Sequence, residues 1–445
     1  MEFKALKWTL ACVSLLFVTF PAAARDAECE LRYAEITDLR EPEFSFGSSW
    51  NMLYAEDGMD VFADLVEIAP MTVVAAGAYT KDKDDQTYHP LLVKFDDRLH
   101  KVWEVREETK EQRTIYRIVK SKSGFTVLGD PTLSGKGQGI YIASYNDDGK
   151  MVSKPSPIFE SGGNLDAKAL IPAQDGGGYI VAAQFVNSKD QEDQYGLLYK
   201  VTPSGKVVWR RAFKPGRSTV VNDVQATQDG NYVVAGQIVT SATQSGGWLI
   251  RVDQKGAIQW QQTYPRGAAT SFQTAAQTKD GNFIVTGKVR PFGDEGKGLS
   301  ALVMKMDLAG NALWQRYFSG DYNYDAPGSI VYEDGRAVVL LNGGGMDSEH
   351  RSHARLVTFT PQGNIRMVED FTDGQNAAAQ RLVPGMKGER IITGYAQTSF
   401  GERQEGNEAA AAPVYTYDAW ILAAPPLDYY EDPCAPSKNM SPILP

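Results

Sequence analysis

Short apolar runs separated by polar turns recur along this chain in pairs. In the middle of the sequence, the runs at residues 222–226 and 232–236 flank an Asp-Gly turn, which is typical of a β-hairpin. A second hairpin follows, in which the run at 247–253 leads through a turn with glycine to residues 257–260. The pattern predicts a unit of four antiparallel strands joined by short turns.

A tryptophan marks the fourth strand of several units. Five tryptophans are separated by 53, 106, 51 and 54 residues, and the gap of 106 spans two units: Trp50, Trp103, Trp209, Trp260 and Trp314. The third-strand pattern occurs seven times, near residues 91–96, 139–145, 196–201, 248–253, 301–307, 354–359 and 418–422. Such a fixed period indicates a repeat architecture. We therefore predict an all-β fold, a single seven-bladed β-propeller, with six or eight blades as alternatives, in which the tryptophans pack neighbouring blades.

The last unit lacks a fourth strand, and the N-terminal segment offers one. Residues 44–54 surround Trp50 and precede the first apolar run as a fourth strand would. We expect them to complete the last blade, which would hide strand edges that invite aggregation. The predicted domains are an N-terminal arm at 25–43, the propeller at 44–424 and a C-terminal tail at 425–445.

The first 24 residues have the pattern of an export signal. Lys4 and Lys7 supply the positive region, residues 10–20 the apolar core, and residues 22–24 a small-residue cleavage site. The apolar run is shorter than a membrane span of about 20 residues, so no membrane insertion is expected. We predict a periplasmic or secreted protein, and Cys12 leaves a lipoprotein as the alternative.

The cysteine count predicts a disulfide, and the net charge excludes some classes of partner. Cys29 and Cys434 remain after cleavage, and in an exported protein such a pair predicts a disulfide, with two free thiols as the alternative. The formal charge is -10, and removal of the signal makes it more negative. So acidic a chain is a poor candidate for binding nucleic acid or anionic lipid.

Three segments carry a family resemblance. Residues 251–260 and 305–314 share an aspartate, a turn glycine and a tryptophan in the same order, and residues 229–236 read Asp-Gly-Asn-Tyr-Val-Val-Ala-Gly. These segments resemble the blades of exported bacterial quinoprotein-like (PQQ-type) β-propellers, and the resemblance covers most of residues 60–423. It implies the fold. Quinone-dependent enzymes of that kind use adjacent cysteines and a calcium-bound cofactor, whereas this sequence has no Cys-Cys pair.

Metal and nucleophile motifs are incomplete. Asp321, Asn323 and Asp325 alternate as in a calcium loop, but Ala326 replaces the glycine that such a loop needs for its sharp turn. His350 and His353 lack a convincing third ligand for zinc. The sequence has four histidines and no recognisable nucleophile motif. No cofactor and no catalytic residue are therefore predicted, and calcium is left open.

Polar residues at the start of the innermost strands are the candidates for ligand binding. These strand starts share one face with the long loops between second and third strands, and such loops often carry function. The candidates are Asn164, Asp166, Asn222, Asp223, Tyr324 and Asp325. The alternative for each is that it only caps backbone N–H groups in the channel.

Two functions fit these observations. The first is a non-catalytic binding or scaffolding propeller that recognises a protein, glycan or small molecule through its long-loop face. The second is a hydrolase, lyase or oxidoreductase at the channel mouth, with Asp223 or Asp325 as the acid or base. A carboxyl group with a shifted pKa in a deep pocket would favour the enzyme. An exposed face lined by aromatic side chains, without buried charge, would favour the binding protein.

Overall fold

A computed structural model describes residues 50–427, apart from residues 57, 83–86, 134, 242–243, 293–297, 320–322, 345–351, 372–375 and 401–414. The predicted signal peptide, the N-terminal arm, both mature cysteines and the tail beyond residue 427 lie outside these residues. Within the described part every regular element is a strand. No helix found there could cross a membrane.

The strands form seven antiparallel sheets, which we call blades 1 to 7. The N-terminal strand is β1 (Trp50–Tyr54). Blade 1 contains β2 (Asp60–Ala69), β3 (Thr72–Tyr79), β4 (His89–Phe95) and β5 (Lys101–Arg106). Blade 2 contains β6 (Arg113–Ser121), β7 (Gly124–Leu133), β8 (Gly137–Gln138), β9 (Ile140–Tyr145) and β10 (Met151–Ile158). Blade 3 contains β11 (Gly163–Pro172), β12 (Tyr179–Asn187), β13 (Gln194–Val201) and β14 (Val207–Phe213).

Blades 4 to 7 follow the same plan. Blade 4 contains β15 (Ser218–Ala226), β16 (Tyr232–Ser241), β17 (Gln244–Val252) and β18 (Ile258–Tyr264). Blade 5 contains β19 (Ala269–Gln277), β20 (Phe283–Arg290), β21 (Ser300–Met306) and β22 (Ala312–Phe318). Blade 6 contains β23 (Tyr324–Val331), β24 (Ala337–Gly343), β25 (His353–Phe359) and β26 (Ile365–Phe371). Blade 7 contains β27 (Asn376–Pro384), β28 (Arg390–Phe400) and β29 (Tyr415–Ala424).

The blades close into a ring, and β1 completes blade 7. The first strands of successive blades contact one another in order, and β27 contacts β2. Strand β1 pairs with β29 from Trp50 opposite Ala423 to Tyr54 opposite Ala419. The indole of Trp420 also donates a hydrogen bond to Asn51 Oδ1 at 2.9 Å. The predicted seven-bladed fold and its closure by an N-terminal strand are confirmed for residues 50–54.

The tryptophans of the outer strands join each blade to the next. The indole N–H groups of Trp50, Trp103 and Trp314 donate to backbone oxygens in the outer hairpin turn of the following blade, at 3.1, 3.1 and 3.0 Å. In two of these turns, a Cβ added at Gly149 or Gly363 would lie within 3.0 Å of the indole ring. The predicted packing role is thus confirmed for these tryptophans.

The innermost strand of every blade contains a β-bulge at the same height. The register shifts lie between Phe62 and Asp64, Ile115 and Arg117, Ala167 and Ala169, Val221 and Asp223, Phe272 and Thr274, Asp325 and Gly328, and Ala379 and Arg381. A bulge inserts an unpaired residue and bends the strand locally. The residue after each shift, here called the post-bulge residue, precedes the positive-φ residue of the following turn by seven positions in all seven blades.

Glycine in the second strand makes room for the bulge in five blades. A Cβ added at this glycine would lie 1.8 to 2.2 Å from a carbonyl oxygen of the innermost strand. The five glycines are Gly77, Gly129, Gly236, Gly287 and Gly394. Ordinary side chains cannot approach a backbone oxygen so closely. The repeated glycine at the end of sequences such as Val-Val-Ala-Gly is therefore a packing requirement of the channel wall.

This close approach predicts a large cost for Gly236→Ala. The new Cβ would lie 2.0 Å from the Val220 oxygen, so the strands must separate. We expect a loss of about 2 kcal/mol in the free energy of unfolding, measured by denaturant titration. The control is Gly328→Ala, whose Cβ would make an ordinary contact of 3.5 Å with the Leu382 side chain. Equal losses in both variants would contradict the account.

Candidate functional site

A cavity of about 300 Å³ lies in the central channel. Its wall comes from the second halves of β15, β19, β23 and β27, and four post-bulge residues contribute to it: Asp223, Thr274, Gly328 and Arg381. Thr227 and Gln228, at the first hairpin turn of blade 4, also line it. The cavity thus lies at the end of the channel where the innermost strands meet their first turns. We call this the turn end, and the opposite end the long-loop end.

Asp223 is the predicted candidate that lines this cavity. Its side chain is buried, with 2% of the residue exposed. Gln225 Nε2 donates to Asp223 Oδ2 at 2.9 Å, whereas Oδ1 has no hydrogen-bond partner among the described residues. Burial raises the pKa of this carboxyl group, and the positive charges of Arg381 and Arg117 oppose the rise. Asp223 thus lines the cavity and has an unused acceptor, Oδ1, that is itself buried.

Ser329 provides a second unused group in the same wall. It follows the post-bulge residue Gly328 in β23 and lines the cavity. Its buried Oγ has no hydrogen-bond partner in the described part of the chain. Buried polar atoms are nearly always hydrogen-bonded in folded proteins. Two unpartnered atoms on residues of one cavity therefore indicate that a bound molecule or water supplies the missing hydrogen bonds.

Charged side chains from other blades surround Asp223. Arg381 Nε lies 3.5 Å from Asp64 Oδ1. Asp64 also accepts hydrogen bonds from two backbone N–H groups, those of Leu65 at 2.9 Å and Ile118 at 3.2 Å. The carboxylate of Asp64 is thus already well supplied with donors, while Arg381 makes no other ion pair within the described residues.

Arg117 is the second arginine of this group. Its Nη1 donates to the backbone oxygen of Tyr116 at 2.7 Å, and its buried Nε has no partner among the residues described. Burial lowers the pKa of the guanidinium, and the positive charge of Arg381 lowers it further. Two arginines and two aspartates, all at post-bulge positions, therefore form a charge-balanced group in the channel.

Asp166 belongs to a different group, which includes a carboxyl that the sequence did not reveal. Gln138 Nε2 donates to Asp130 Oδ2 at 3.1 Å and to Asp166 Oδ1 at 2.9 Å. Asp130 also accepts the backbone N–H of Ala167 at 2.8 Å. Burial raises the pKa of Asp130 to about 7, and the nearby charge of Asp166 adds to the rise. Asp130 is thus a buried carboxyl held by the neighbouring blade.

Three other candidates make contacts that support the fold. Asn164 Oδ1 accepts the backbone N–H of Gln138 at 3.0 Å. Asn222 is the bulged residue beside Asp223, and its Nδ2 donates to the Phe272 oxygen of blade 5 at 2.6 Å. Tyr324 is buried in an apolar cluster between blades 5 and 6. Of the three, Asn164 contacts a backbone N–H group, Asn222 a backbone oxygen and Tyr324 apolar side chains.

Asp325 lies near the long-loop end, away from the cavity. Its buried Oδ1 has no hydrogen-bond partner in the described chain. Burial raises the pKa of Asp325, and the positive charge of Lys288 opposes the rise. In blade 7, Tyr395 and Tyr417 form an edge-to-face pair with ring centroids 5.4 Å apart. Burial raises the pKa of Tyr395, and the charges of Tyr417 and Asp325 contribute.

The incomplete metal motifs fall partly on undescribed residues. Asp321 and His350 lie outside the described part of the chain, whereas Asp325 and His353 lie within it. Among the described residues, no group of three or more His, Cys, Asp or Glu side chains is placed to hold a metal ion.

The post-bulge residues that the sequence did not reveal share one position relative to the following turn. Asp64, Arg117 and Arg381 are post-bulge residues like Asp223, and each precedes a positive-φ turn residue by seven positions. Counting back from the turn would have found them. Asp130 comes from a second strand, and its approach to the next blade has no comparable sequence signal.

Comparisons with known proteins support the fold alone. No protein-family model matches the chain, and no curated protein matches it. Among solved structures, puromycin hydrolase is 15% identical, with a TM-score of 0.49 over 77% of this chain and 51% of that chain. The chain therefore spans about half the length of the puromycin hydrolase chain.

Two further solved structures are similar to the ring. The C-terminal WD40 domain of Sif2 is 9% identical, with a TM-score of 0.47 over 85% of this chain and 99% of that chain. The β-propeller domain of the Trilobed protease from Pyrococcus furiosus is 12% identical, with a TM-score of 0.41 over 75% and 91% of the two chains. These likenesses carry no information on activity.

The unpaired carboxyl oxygen of Asp223 predicts that Asp223→Asn does not destabilise the protein. Because burial raises the pKa, the charged form lowers stability at pH values above that pKa, and the amide removes this charge. We expect the free energy of unfolding at pH 8 to be at least as high as that of the wild type in denaturant titrations. Asp148→Asn, in an exposed turn, is the control and should change nothing. A marked loss in Asp223→Asn would assign the carboxylate a structural role.

Asp130 predicts a specific pH dependence of stability. Its pKa rises from 3.8 to about 7 on folding, so its contribution to stability is fully present below about pH 4 and is lost as pH rises through 7. The loss is about 4 kcal/mol, from the free energy per pKa unit. We expect Asp130→Asn to gain stability relative to the wild type as pH rises from 4 to 8.

The difference in unfolding free energy between the wild type and Asp130→Asn, followed against pH, isolates the contribution of Asp130. Asp60, whose pKa burial raises to about 6, contributes the same decline to both proteins. A difference that stays constant with pH would show that Asp130 titrates normally in the folded chain.

Proposed function

We propose that this protein is an extracytoplasmic, non-catalytic binding propeller that receives a small polar ligand in the cavity of its channel. The observation that carries the proposal is the Asp223 carboxyl group, buried at the cavity wall with Oδ1 unpartnered among the described residues. Binding pockets typically place a few convergent polar groups in a concave wall. A volume of about 300 Å³ is at the small end of such pockets, which favours a small molecule over a protein or polysaccharide.

Export and the disulfide remain parts of the same proposal. The positive residues, apolar core and small-residue site within residues 1–24 support export. Pairing of Cys29 with Cys434 is supported by the position of β1 beside β29, because both ends of the described chain leave the ring from blade 7. The acidic charge supports a chain that binds neither nucleic acid nor membrane. We propose no cofactor.

An enzyme is the second candidate, and one observation favours it. Asp223 has a raised pKa and lines the cavity, as expected of a general acid or base. No nucleophile motif accompanies it in the sequence, so binding is the simpler interpretation. The two functions differ in whether a bound compound is converted.

The test is a thermal-shift and calorimetry screen of the full chain against simple sugars, polyols, hydroxy acids and amino acids. A ligand at about a hundred times its dissociation constant should add about 2.7 kcal/mol to stability. We expect Asp223→Asn to abolish the shift. The matched control is Asp325→Asn, because Asp325 also has a raised pKa and an unpartnered oxygen in the described chain but does not line the cavity.

Each outcome decides between the alternatives. Loss of binding in Asp223→Asn alone supports the cavity site. Loss in Asp325→Asn alone moves the site to the long-loop end and overturns the proposal. No shift with any compound, in a folded protein, also contradicts it. Conversion of a bound compound by the wild type, detected by mass spectrometry and absent in Asp223→Asn, would establish the enzyme instead.

A further inference from the structure

The cavity has opposite charges on its two sides. Asp223 belongs to blade 4 and Arg381 to blade 7, and both are post-bulge residues that line the cavity. Blades 5 and 6 lie between them on one side of the ring and blades 1 to 3 on the other, so they lie on opposite walls of the channel. No ion pair joins them within 4.0 Å in the described structure, where the carboxylate within that distance of Arg381 is that of Asp64.

Both groups retain unused hydrogen-bonding capacity. Arg381 has five N–H donors, of which Nε lies 3.5 Å from Asp64, too far for a strong hydrogen bond. Asp223 Oδ1 accepts no hydrogen bond from any described residue. Asp223 is buried, whereas the Arg381 side chain is 22% exposed. Both residues line the cavity, so a ligand there can add to the few hydrogen bonds that each makes.

Small residues form part of the wall between the two charges. The post-bulge residues of blades 5 and 6 are Thr274 and Gly328, which have small side chains or none. Thr274 Oγ1 is already engaged with Thr286 Oγ1 at 3.1 Å. Ser329, next to Gly328, adds the unpartnered Oγ described above. Asp223, Ser329 and Arg381 line the same cavity, so one ligand there can contact all three.

We propose that the ligand is a small zwitterion of the α-amino acid class, with its carboxylate on Arg381 and its ammonium group at the Asp223 carboxyl group. This inference rests on the proposed function and names the ligand class for the same cavity. A neutral sugar would satisfy Asp223 and Ser329 but leave Arg381 with only its 3.5 Å ion pair to Asp64. A simple anion would satisfy Arg381 but leave the Asp223 acceptor without a donor.

The experiment begins with a thermal-shift screen of the full chain against each common L-α-amino acid. The strongest binder is then compared by calorimetry with its N-acetyl derivative, which lacks the ammonium group, and with its C-terminal amide, which lacks the carboxylate. We expect each derivative to bind at least about tenfold more weakly, a difference of about 1.4 kcal/mol.

Variants assign the two ends of the ligand. Asp223→Asn should weaken the free amino acid at least tenfold and leave the N-acetyl derivative unchanged. Arg381→Gln should weaken the free amino acid and leave the amide unchanged. Arg381→Lys keeps the positive charge beside Asp64 and should retain more affinity than Arg381→Gln. Asp325→Asn is the control with unchanged binding.

The two proposals fail in different ways. If a sugar or polyol binds in an Asp223-dependent manner while no amino acid binds, the zwitterion is wrong and the binding function stands. Equal binding of the amino acid and either derivative also overturns the zwitterion. If no compound binds to the folded chain, both proposals are contradicted.

Discussion

The close approach between a second-strand glycine and a carbonyl oxygen of the innermost strand determines the geometry of the channel. Five blades have this glycine, and a Cβ in its place would lie 1.8 to 2.2 Å from that oxygen. In these five blades the space it leaves accommodates the bulge, whereas the innermost strands of blades 3 and 6 are bulged without this glycine. Because the bulge always lies seven residues before a positive-φ turn residue, the same sequence position faces the same height of the channel in each blade.

Packing between blades provides the stability that a polar channel requires. The apolar clusters combine side chains from neighbouring sheets: one contains Val233 and Leu249 of blade 4 together with Phe272, Val285 and Met304 of blade 5. Tryptophans on the outer strands add contacts to the next blade's turns. Such a ring can tolerate buried charges and unpaired acceptors near its axis, which cost stability but can bind a ligand.

Periodic features of the structure were predictable, and local shifts in register were not. The strand pattern, the tryptophan series and Trp50 gave the blade number and the closing strand, because each repeats with the fold. Asn222 and Asp223 looked equivalent as candidates, yet the bulge directs Asn222 to blade 5 and Asp223 to the cavity. A bulge adds one residue and so changes which side chains face the axis. Arg381 escaped notice for the same reason.

A crystal structure of the full chain, at a resolution that places ordered waters, tests the central claim most directly. We expect bulged innermost strands and density for a water or ligand that lies in the cavity within hydrogen-bond distance of the Asp223 carboxyl group. Regular strands, or a cavity closed by a direct ion pair between Asp223 and Arg381, would contradict it.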